Sequence, residues 1–197
     1  RYKKSIGSKY GPWVLVRKIG TGGNGEVWEV SRQGFPNHAL KLLKSIKQDT
    51  YDRFKSEISV LSDNQDIEGL IPLIDKNESA LNASKPPWFV MPIATEFKLY
   101  NKGKTPLELA ADFVELAKTL EILHSRGISH RDIKPANILF LKNRLNFSDF
   151  GLVKYPSRED FTKLREDVGA KYTMAPEMRR HAHKADGIAA DVYSFSK

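Results

Sequence analysis

The stretch from His130 to Phe140 constrains this chain more than any other part of its sequence. It has the sequence H-R-D-I-K-P-A-N-I-L-F, and Asp149-Phe150-Gly151 begins nine residues after Phe140. An acid, a base and an amide thus lie within a few positions, and a second carboxylate follows a short apolar segment. Core packing does not account for such a set, because polar side chains mostly stay at protein surfaces. We therefore interpret the stretch as a catalytic loop.

The spacing of these groups suits the transfer of a phosphoryl group from a nucleotide to a hydroxyl. That chemistry needs a carboxylate to accept the hydroxyl proton, ligands for the metal that holds the phosphates, and a cation beside the transferring group. Asp132 can be the carboxylate, Asn137 and Asp149 the metal ligands, and Lys134 the cation. Each residue alone has an ordinary explanation as part of a turn or loop. The set in this order, with 17 positions between the two aspartates (149 − 132), matches the kinase signature.

On these motifs the sequence resembles the eukaryotic-type serine/threonine protein kinase family. The resemblance implies an α+β, two-lobed protein-kinase-like fold over residues 1–197, with a β-rich N-lobe (1–92) and a mainly helical, partial C-lobe (93–197). It implies ATP and Mg²⁺ or Mn²⁺ as cofactors and a protein as substrate. It also implies self-association for autophosphorylation. Family members continue through further helices, so the C-lobe is expected to be truncated near the start of its central helix.

A glycine-rich segment lies near the N-terminus. Residues Trp13 to Val30 predict two strands around Gly20, Thr21, Gly22, Gly23, Asn24 and Gly25, which together form a hairpin. Glycines let the backbone approach phosphates, since a Cβ would intrude. A dinucleotide site would need a helix directly after the glycines, whereas a strand follows here. By resemblance, Val27 covers an adenine, with Ala39 and Leu139 completing the sandwich.

Lys41 interrupts the apolar strand Ala39–Leu43. A lone lysine in a strand normally faces solvent. Here a helix follows, from Tyr51 to Leu61, whose apolar stripe has Glu57 beside it. By resemblance, Lys41 contacts phosphates and Glu57 is its partner, with Glu68 a more distant competitor.

Further strands are predicted at Leu70–Asp75 and Trp88–Ile93, with turns between them. The second strand leads into the hinge, where Met91 would guard the pocket behind adenine. By resemblance, the Pro92 carbonyl and the Ala94 N–H meet the adenine edge.

A helix is predicted to begin at Thr105 and to stop at Gly127. Thr105-Pro106-Leu107-Glu108 has the pattern of a capping box, and an apolar face follows at Leu109, Phe113, Leu116, Ala117 and Leu120. The helix leads to the catalytic loop, in which His130 is expected to be a packed, hydrogen-bonded residue and not a base.

The segment from Gly151 to Ala175-Pro176-Glu177 resembles the family's activation segment. By this resemblance, Arg131 is the residue that binds a phosphate group on this segment through charge-assisted hydrogen bonds. Counting eleven residues back from Glu177, a common phosphosite position, gives Glu166. Its carboxylate is expected to replace part of the negative charge of a phosphate group. If it does not, Thr162, with Ser157 second, is the expected phosphosite. Ala170 stands where the family has a threonine. Asp191 resembles the aspartate that supports the catalytic loop.

Composition limits the other functional classes. The chain has 32 Lys and Arg against 24 Asp and Glu, a net charge of +8, which favours anionic partners. The cations are scattered and lack the clustered stripe of a nucleic-acid surface, so a nucleotide explains them more simply. There are no cysteines, no apolar run of the ~20 residues that span a bilayer and no apolar signal-peptide core at the start. The expected location is cytoplasmic.

Three other functions compete with an active protein kinase. A binding-only pseudokinase would lack one of Lys41, Asp132, Asn137 or Asp149, and all four are present. A small-molecule phosphotransferase would lack the Ala175-Pro176-Glu177 motif. A catalytically impaired or scaffold kinase-like domain stays open, because C-lobe helices are missing from this span.

Overall fold

The computed structural model describes residues 4–22, 24–81, 83–154, 172–181 and 185–197. The chain divides into two compact units. The first consists of Arg1–Asp63 and Pro72–Ile93, and the second of Asn64–Ile71 and Ala94–Lys197. The predicted N-lobe is continuous in sequence, whereas the first unit lacks the segment Asn64–Ile71.

The first unit is a six-stranded antiparallel sheet with one helix, α1 (Gln48–Asp63). The strand order is β1-β2-β3-β4-β6-β5. The strands are β1 (Lys9–Tyr10), β2 (Trp13–Thr21), β3 (Gly25–Ser31), β4 (His38–Leu43), β5 (Asp75–Asn77) and β6 (Trp88–Pro92). The predicted glycine-rich hairpin, the strand that carries Lys41 and the helix that carries Glu57 are all confirmed.

Strand β4 is covered on both faces, and all of its residues are buried. Leu40 and Leu42 join a core that includes Trp13, Trp28 and Trp88. Successive side chains of a strand alternate between faces, so Lys41 points the other way. Buried positions therefore surround Lys41 along its strand.

The second unit combines helices with a small three-stranded sheet of order β7-β8-β9. Its strands are β7 (Thr95–Glu96), β8 (Ile138–Leu141) and β9 (Arg144–Phe147). Its helices are α2 (Phe97–Tyr100), α3 (Pro106–Ser125), α4 (Pro176–His181) and α5 (Gly187–Phe195), with a 3₁₀ turn at Pro135–Asn137.

Helix α3 begins and ends as the sequence predicts. The Glu108 backbone N–H donates to Thr105 Oγ1 at 3.3 Å, and the Thr105 N–H donates to Glu108 Oε2 at 2.6 Å. At the other end Gly127 has φ 71°. The Gly127 N–H donates to the His124 carbonyl and the Ile128 N–H to the Leu123 carbonyl, both at 2.9 Å, which is a Schellman motif.

The predicted apolar face of α3 is partly wrong. Leu116 and Leu120 are buried, but Ala117 is exposed and Thr119 is buried in its place. Thr119 Oγ1 donates to the Glu68 carbonyl at 3.0 Å. This hydrogen bond explains how a polar side chain occupies a buried helical position.

The predicted strand Leu70–Asp75 is also wrong. Leu70 forms only an isolated bridge to Phe147, and the strand lies later, at Asp75–Asn77, where it begins at the last residue of the predicted strand and continues into the predicted turn region. Pro72 lacks an N–H, so it cannot continue a ladder of hydrogen bonds. The hydrogen-bond partners differ on the two sides of Pro72. The Ile71 N–H donates to the Phe147 carbonyl, and the Ile74 N–H donates to the Val90 carbonyl.

Among the described residues, no helix has both the length and the apolar character needed to cross a membrane.

Candidate active site

The two oxygens of the Asp132 carboxylate have different surroundings. Oδ2 accepts hydrogen bonds from Lys134 Nζ at 2.7 Å and from Asn137 Nδ2 at 2.9 Å. Oδ1 is buried and has no hydrogen-bond partner among the described residues. A buried acceptor without a partner is costly and rare in folded proteins. One oxygen of Asp132 is therefore held in place, and the other is left for a donor from outside.

A short 3₁₀ turn positions Asn137 beside Asp132. The turn has Pro135 at its first position, where a missing N–H does no harm. Asn137 Nδ2 also donates to the Asp132 carbonyl at 2.9 Å. Both contacts orient the amide so that its nitrogen faces Asp132, which leaves its Oδ1 as the acceptor for another ligand.

The β8–β9 hairpin explains the spacing between Asn137 and Asp149. Lys142 and Asn143 both have positive φ, 51° and 61°, as in the two-residue turns that suit the twist of a hairpin. The register pairs Ile138 with Phe147, and the Ser148 N–H then donates to the Asn137 carbonyl at 2.9 Å. The residue after Ser148 is Asp149, so the hairpin returns the second predicted metal ligand to the first.

Two residues of this region have strained backbones. Arg131 has φ 64° and Asp149 has φ 62°, in the left-handed region that non-glycine residues rarely adopt. Such strain costs of order 1–3 kcal/mol per residue and tends to occur at functional sites.

Asp191 supports the catalytic loop, as the sequence predicts. Its carboxylate is fully buried and accepts the backbone N–H groups of His130 and Arg131, both at 2.7 Å. His124 Nε2 lies 3.0 Å from the same carboxylate. Helix α5 comes close enough for this only because residue 187 is glycine. A Cβ at Gly187 would lie 2.2 Å from Ser129 Oγ, and the sequence reasoning missed this requirement.

His130 is a packed residue, as predicted. It is fully buried, and its ring centroid lies 4.6 Å from that of Phe150. Its Nδ1 accepts the Asp132 N–H at 3.3 Å, which leaves Nε2 to donate to the Ser148 carbonyl at 3.1 Å. Both ring nitrogens are thus used to connect the loop to the strand end.

In the first unit, the predicted pair of Lys41 and Glu57 forms. Lys41 Nζ lies 2.6 and 2.7 Å from the two carboxylate oxygens of Glu57. The side chains are 5% and 2% exposed. Glu68, the competitor considered from the sequence, pairs with Arg144 instead.

The glycine-rich segment forms the β2–β3 turn, where the Gly22 N–H donates to the Gly25 carbonyl at 2.9 Å. A Cβ at Gly25 would lie 2.9 Å from both the Leu42 carbonyl and Lys41 Cγ. Glycine is therefore required at 25 for packing against β4, a reason that the sequence reasoning did not find. Gly23 lies outside the described residues.

All but one of the residues predicted to surround adenine lie in strands, and Ala94 lies between two strands. In the first unit, Val27 pairs with Lys41, and Ala39 pairs with Met91, next to Pro92. In the second unit, Ala94 precedes β7, and Leu139 pairs with Glu96. Contact of these residues with a nucleotide stays a prediction.

The predicted regulatory residues are only partly described. Arg131 is nearly buried, with 4% of its surface exposed. Ser157, Thr162, Glu166 and Ala170 lie outside the described residues. Their predicted roles stay predictions.

Comparison with known proteins identifies several relatives. The family model described as "Protein kinase domain" matches residues 13–196. The serine/threonine-protein kinase PknA of Mycobacterium tuberculosis is 31% identical over 196 residues, which cover 94% of this chain and 45% of PknA. PknH of Mycobacterium bovis, also named a serine/threonine-protein kinase, is 29% identical over 197 residues, which cover 97% of this chain and 33% of PknH. The chain thus spans less than half the length of these curated relatives.

A solved structure shows the same fold. The crystal structure of a kinase domain superposes with a TM-score of 0.78 at 16% identity, covering 98% of this chain and 65% of the other. This similarity confirms the predicted two-lobed kinase fold.

Proposed function

The chain belongs to the protein kinase domain family, and from that premise we propose that it transfers the γ-phosphoryl group of ATP to a serine or threonine hydroxyl of a protein. The observation that carries this proposal is the buried, unpartnered Oδ1 of Asp132 among the described residues. A substrate hydroxyl that donates to Oδ1 satisfies this atom. The catalytic roles proposed below assume that the substrate hydroxyl lies at Asp132 Oδ1.

Asp132 acts as the general base. Its Oδ1 receives the hydroxyl proton while the hydroxyl oxygen bonds to the γ-phosphorus, and the bond to the bridging oxygen breaks to release ADP. Lys134, bonded to Oδ2 at 2.7 Å, supplies positive charge beside the transferring group and keeps the carboxylate oriented.

Asn137 and Asp149 are the proposed ligands of Mg²⁺ or Mn²⁺. Amide and carboxylate oxygens are the hard donors that these ions prefer. An ion held by Asn137 and Asp149 would supply positive charge beside the phosphates and offset the negative charge that develops during transfer. Within the part of the chain that the structure describes, no group of three or more His, Cys, Asp or Glu side chains is placed to hold a metal ion. We therefore expect metal binding together with a nucleotide, whose phosphate oxygens complete the coordination.

Lys41 is proposed to contact the nucleotide phosphates, and Glu57 is proposed to be the partner that positions it. The bidentate contact fixes the ammonium of Lys41 in one position, and fixed charges stabilise a transition state without reorganising. The remaining proposed nucleotide contacts are Gly20, Thr21, Gly22, Gly23, Asn24, Gly25, Val27, Ala39, Met91, Pro92, Ala94 and Leu139.

The choice of serine and threonine rests on the relatives and on Lys134. PknA and PknH are both named serine/threonine-protein kinases, and Lys134 stands two residues after Asp132, as in that class. The proposal includes a protein substrate, control of Arg131 by an acid or phosphate on the segment 155–171, self-association for autophosphorylation and a cytoplasmic location, where ATP is available.

A transfer assay tests the function. The purified chain is incubated with γ-labelled ATP, Mg²⁺ and a generic acceptor protein, and the labelled amino acids are identified. We expect phosphoserine or phosphothreonine, and no label with Asp149→Asn, which retains some nucleotide affinity. Nucleotide binding without transfer would show the scaffold function instead, and label on tyrosine would contradict the proposed specificity.

A further inference from the structure

We propose that Lys44 is a positioning residue for the glycine-rich loop, holding the loop tip in place before the nucleotide arrives. This inference rests on the proposed function, because it assumes that the loop receives the phosphates of ATP. Lys44 lies outside the glycine motif, directly after β4, and no part of the sequence reasoning pointed to it.

Lys44 contacts the loop on both sides of Gly23. Its Nζ donates to the Gly22 carbonyl at 2.9 Å, and its backbone N–H donates to the Asn24 carbonyl at 3.3 Å. The Gly22 N–H in turn donates to the Gly25 carbonyl at 2.9 Å. One residue of the neighbouring strand end therefore fixes two points of the loop tip.

The base from which Lys44 extends is itself fixed. The preceding residue, Leu43, is fully buried and pairs with Gly25 in the sheet. Its carbonyl accepts a hydrogen bond from Lys4 Nζ at 3.1 Å, and Lys4 also lies 3.3 Å from Glu26. Lys4 precedes the residues 13–196 that match the family model. The strand end is thus restrained from two directions.

A restraint of this kind has a physical purpose in a loop rich in glycine. Glycine has more conformational freedom than any other residue, so ordering such a loop around a ligand loses much entropy. A bond that orders the loop beforehand removes part of this loss from the binding step. The effect should appear with ligands that have phosphates and be absent with ligands that lack them.

The test compares ATP with adenosine in matched variants. Lys44→Met removes the ammonium, Lys44→Arg keeps a cation and a donor, and Lys47→Met removes the same charge from an exposed neighbour. Affinities of Mg²⁺–ATP and of adenosine are measured by calorimetry. Amide hydrogen exchange of residues 22–25 is measured in the ligand-free chains.

We expect Lys44→Met to weaken ATP binding about three- to tenfold, the range for loss of one hydrogen bond. Adenosine affinity should not change, Lys44→Arg should restore most of the ATP affinity, and Lys47→Met should stay within about twofold, because exposed charges are screened. Exchange at residues 22–25 should be faster in ligand-free Lys44→Met.

Three results would overturn the inference. Equal ATP affinity in Lys44→Met and wild type would remove the role of Lys44 while leaving the proposed function intact. Weaker ATP binding with unchanged exchange in the ligand-free chain would mean that Lys44 contacts the nucleotide directly. Failure of the wild type to bind ATP would overturn the proposed function and, with it, this inference.

Discussion

Burying Lys41 and Glu57 together is expensive for the fold. Removing an ion from water costs several kcal/mol, and the attraction between two buried ions often does no more than offset this. Apolar residues of similar volume would serve stability equally well. Lys41 Nζ nevertheless contacts both carboxylate oxygens of Glu57, at 2.6 and 2.7 Å, in a buried position. A functional role explains this pair better than a contribution to stability.

This pair gives a prediction in which stability and activity separate. Glu57→Gln removes the carboxylate charge that contacts the buried Lys41 ammonium, and breaking a buried ion pair should destabilise the chain by about 3–5 kcal/mol. It should also slow phosphoryl transfer roughly 100-fold, the scale expected when a reacting group is misplaced. The double variant Lys41→Met, Glu57→Leu should regain most of the stability and stay inactive. Urea unfolding and transfer rates measure the two effects, and a double variant that transfers phosphate normally would refute the role of the pair.

The residues of the candidate site were proposed from the sequence because phosphoryl-transfer chemistry requires fixed residue types at fixed spacing, and their roles stay predictions. Asn137 contacts Asp132 directly, and the β8–β9 hairpin brings the backbone of Ser148, the residue before Asp149, to Asn137. The need for glycine at positions 25 and 187 was not predictable. A Cβ at these two positions would lie 2.9 and 2.2 Å from atoms of neighbouring segments, and only the folded structure shows which segments these are.

Among the elements, α3 was the most predictable, because both of its ends have local signals. The capping box and Gly127 act within a few residues of sequence. The hairpin turn at Lys142-Asn143 was not foreseen, since lysine is not a residue that favours positive φ. The wrongly predicted strand at Leu70–Asp75 shows the same limit, because its apolar residues bond to different partners on the two sides of Pro72.

The capping box of α3 gives a stability prediction that depends on pH. Hydrogen bonds from the Thr105 N–H and hydroxyl hold the pKa of Glu108 below its ordinary value. A lowered folded-state pKa stabilises the fold above the unfolded pKa of about 4.3, and this stabilisation is lost as the pH falls through the folded value. Thr105→Ala removes the capping hydroxyl but keeps the backbone N–H, and it should destabilise the chain by about 1 kcal/mol at pH 7, the usual cost of losing an N-cap side chain. Urea midpoints at pH 7 and pH 3 should differ less in the variant than in the wild type, and an equal difference would contradict the box.

At the scale of the whole molecule, two units each have their own hydrophobic core. The first is organised around the tryptophans that pack on β4, and the second includes Met174, Ala175 and Met178 beside Ala190 of α5. The order of the motifs along the chain was enough to predict the family and the fold. The segment 155–171, on which the predicted regulation depends, lies outside the described residues.

Nucleotide binding should stabilise the whole chain. A ligand that binds only the folded state at 100 times its dissociation constant adds about 2.7 kcal/mol, which for a chain of this size raises the Tm by roughly 5–10 °C. We expect this shift with ATP and Mg²⁺, and a smaller one when EDTA removes the metal. Differential scanning fluorimetry measures both, and equal shifts with and without metal would contradict the assignment of Asn137 and Asp149.

The rate of a single turnover shows whether Asp132 acts as the general base. Asp132→Asn keeps the size of the side chain but removes the proton acceptor, and Glu121→Gln removes a carboxylate from an exposed position of α3 as a control. With a generic acceptor protein and γ-labelled ATP, we predict that Asp132→Asn transfers phosphate at least about 100-fold more slowly than wild type, the scale of general base catalysis. ATP affinity should be unchanged in both variants, and Glu121→Gln should transfer at the wild-type rate. A transfer rate in Asp132→Asn within a few-fold of wild type would contradict the proposal that Asp132 is the general base.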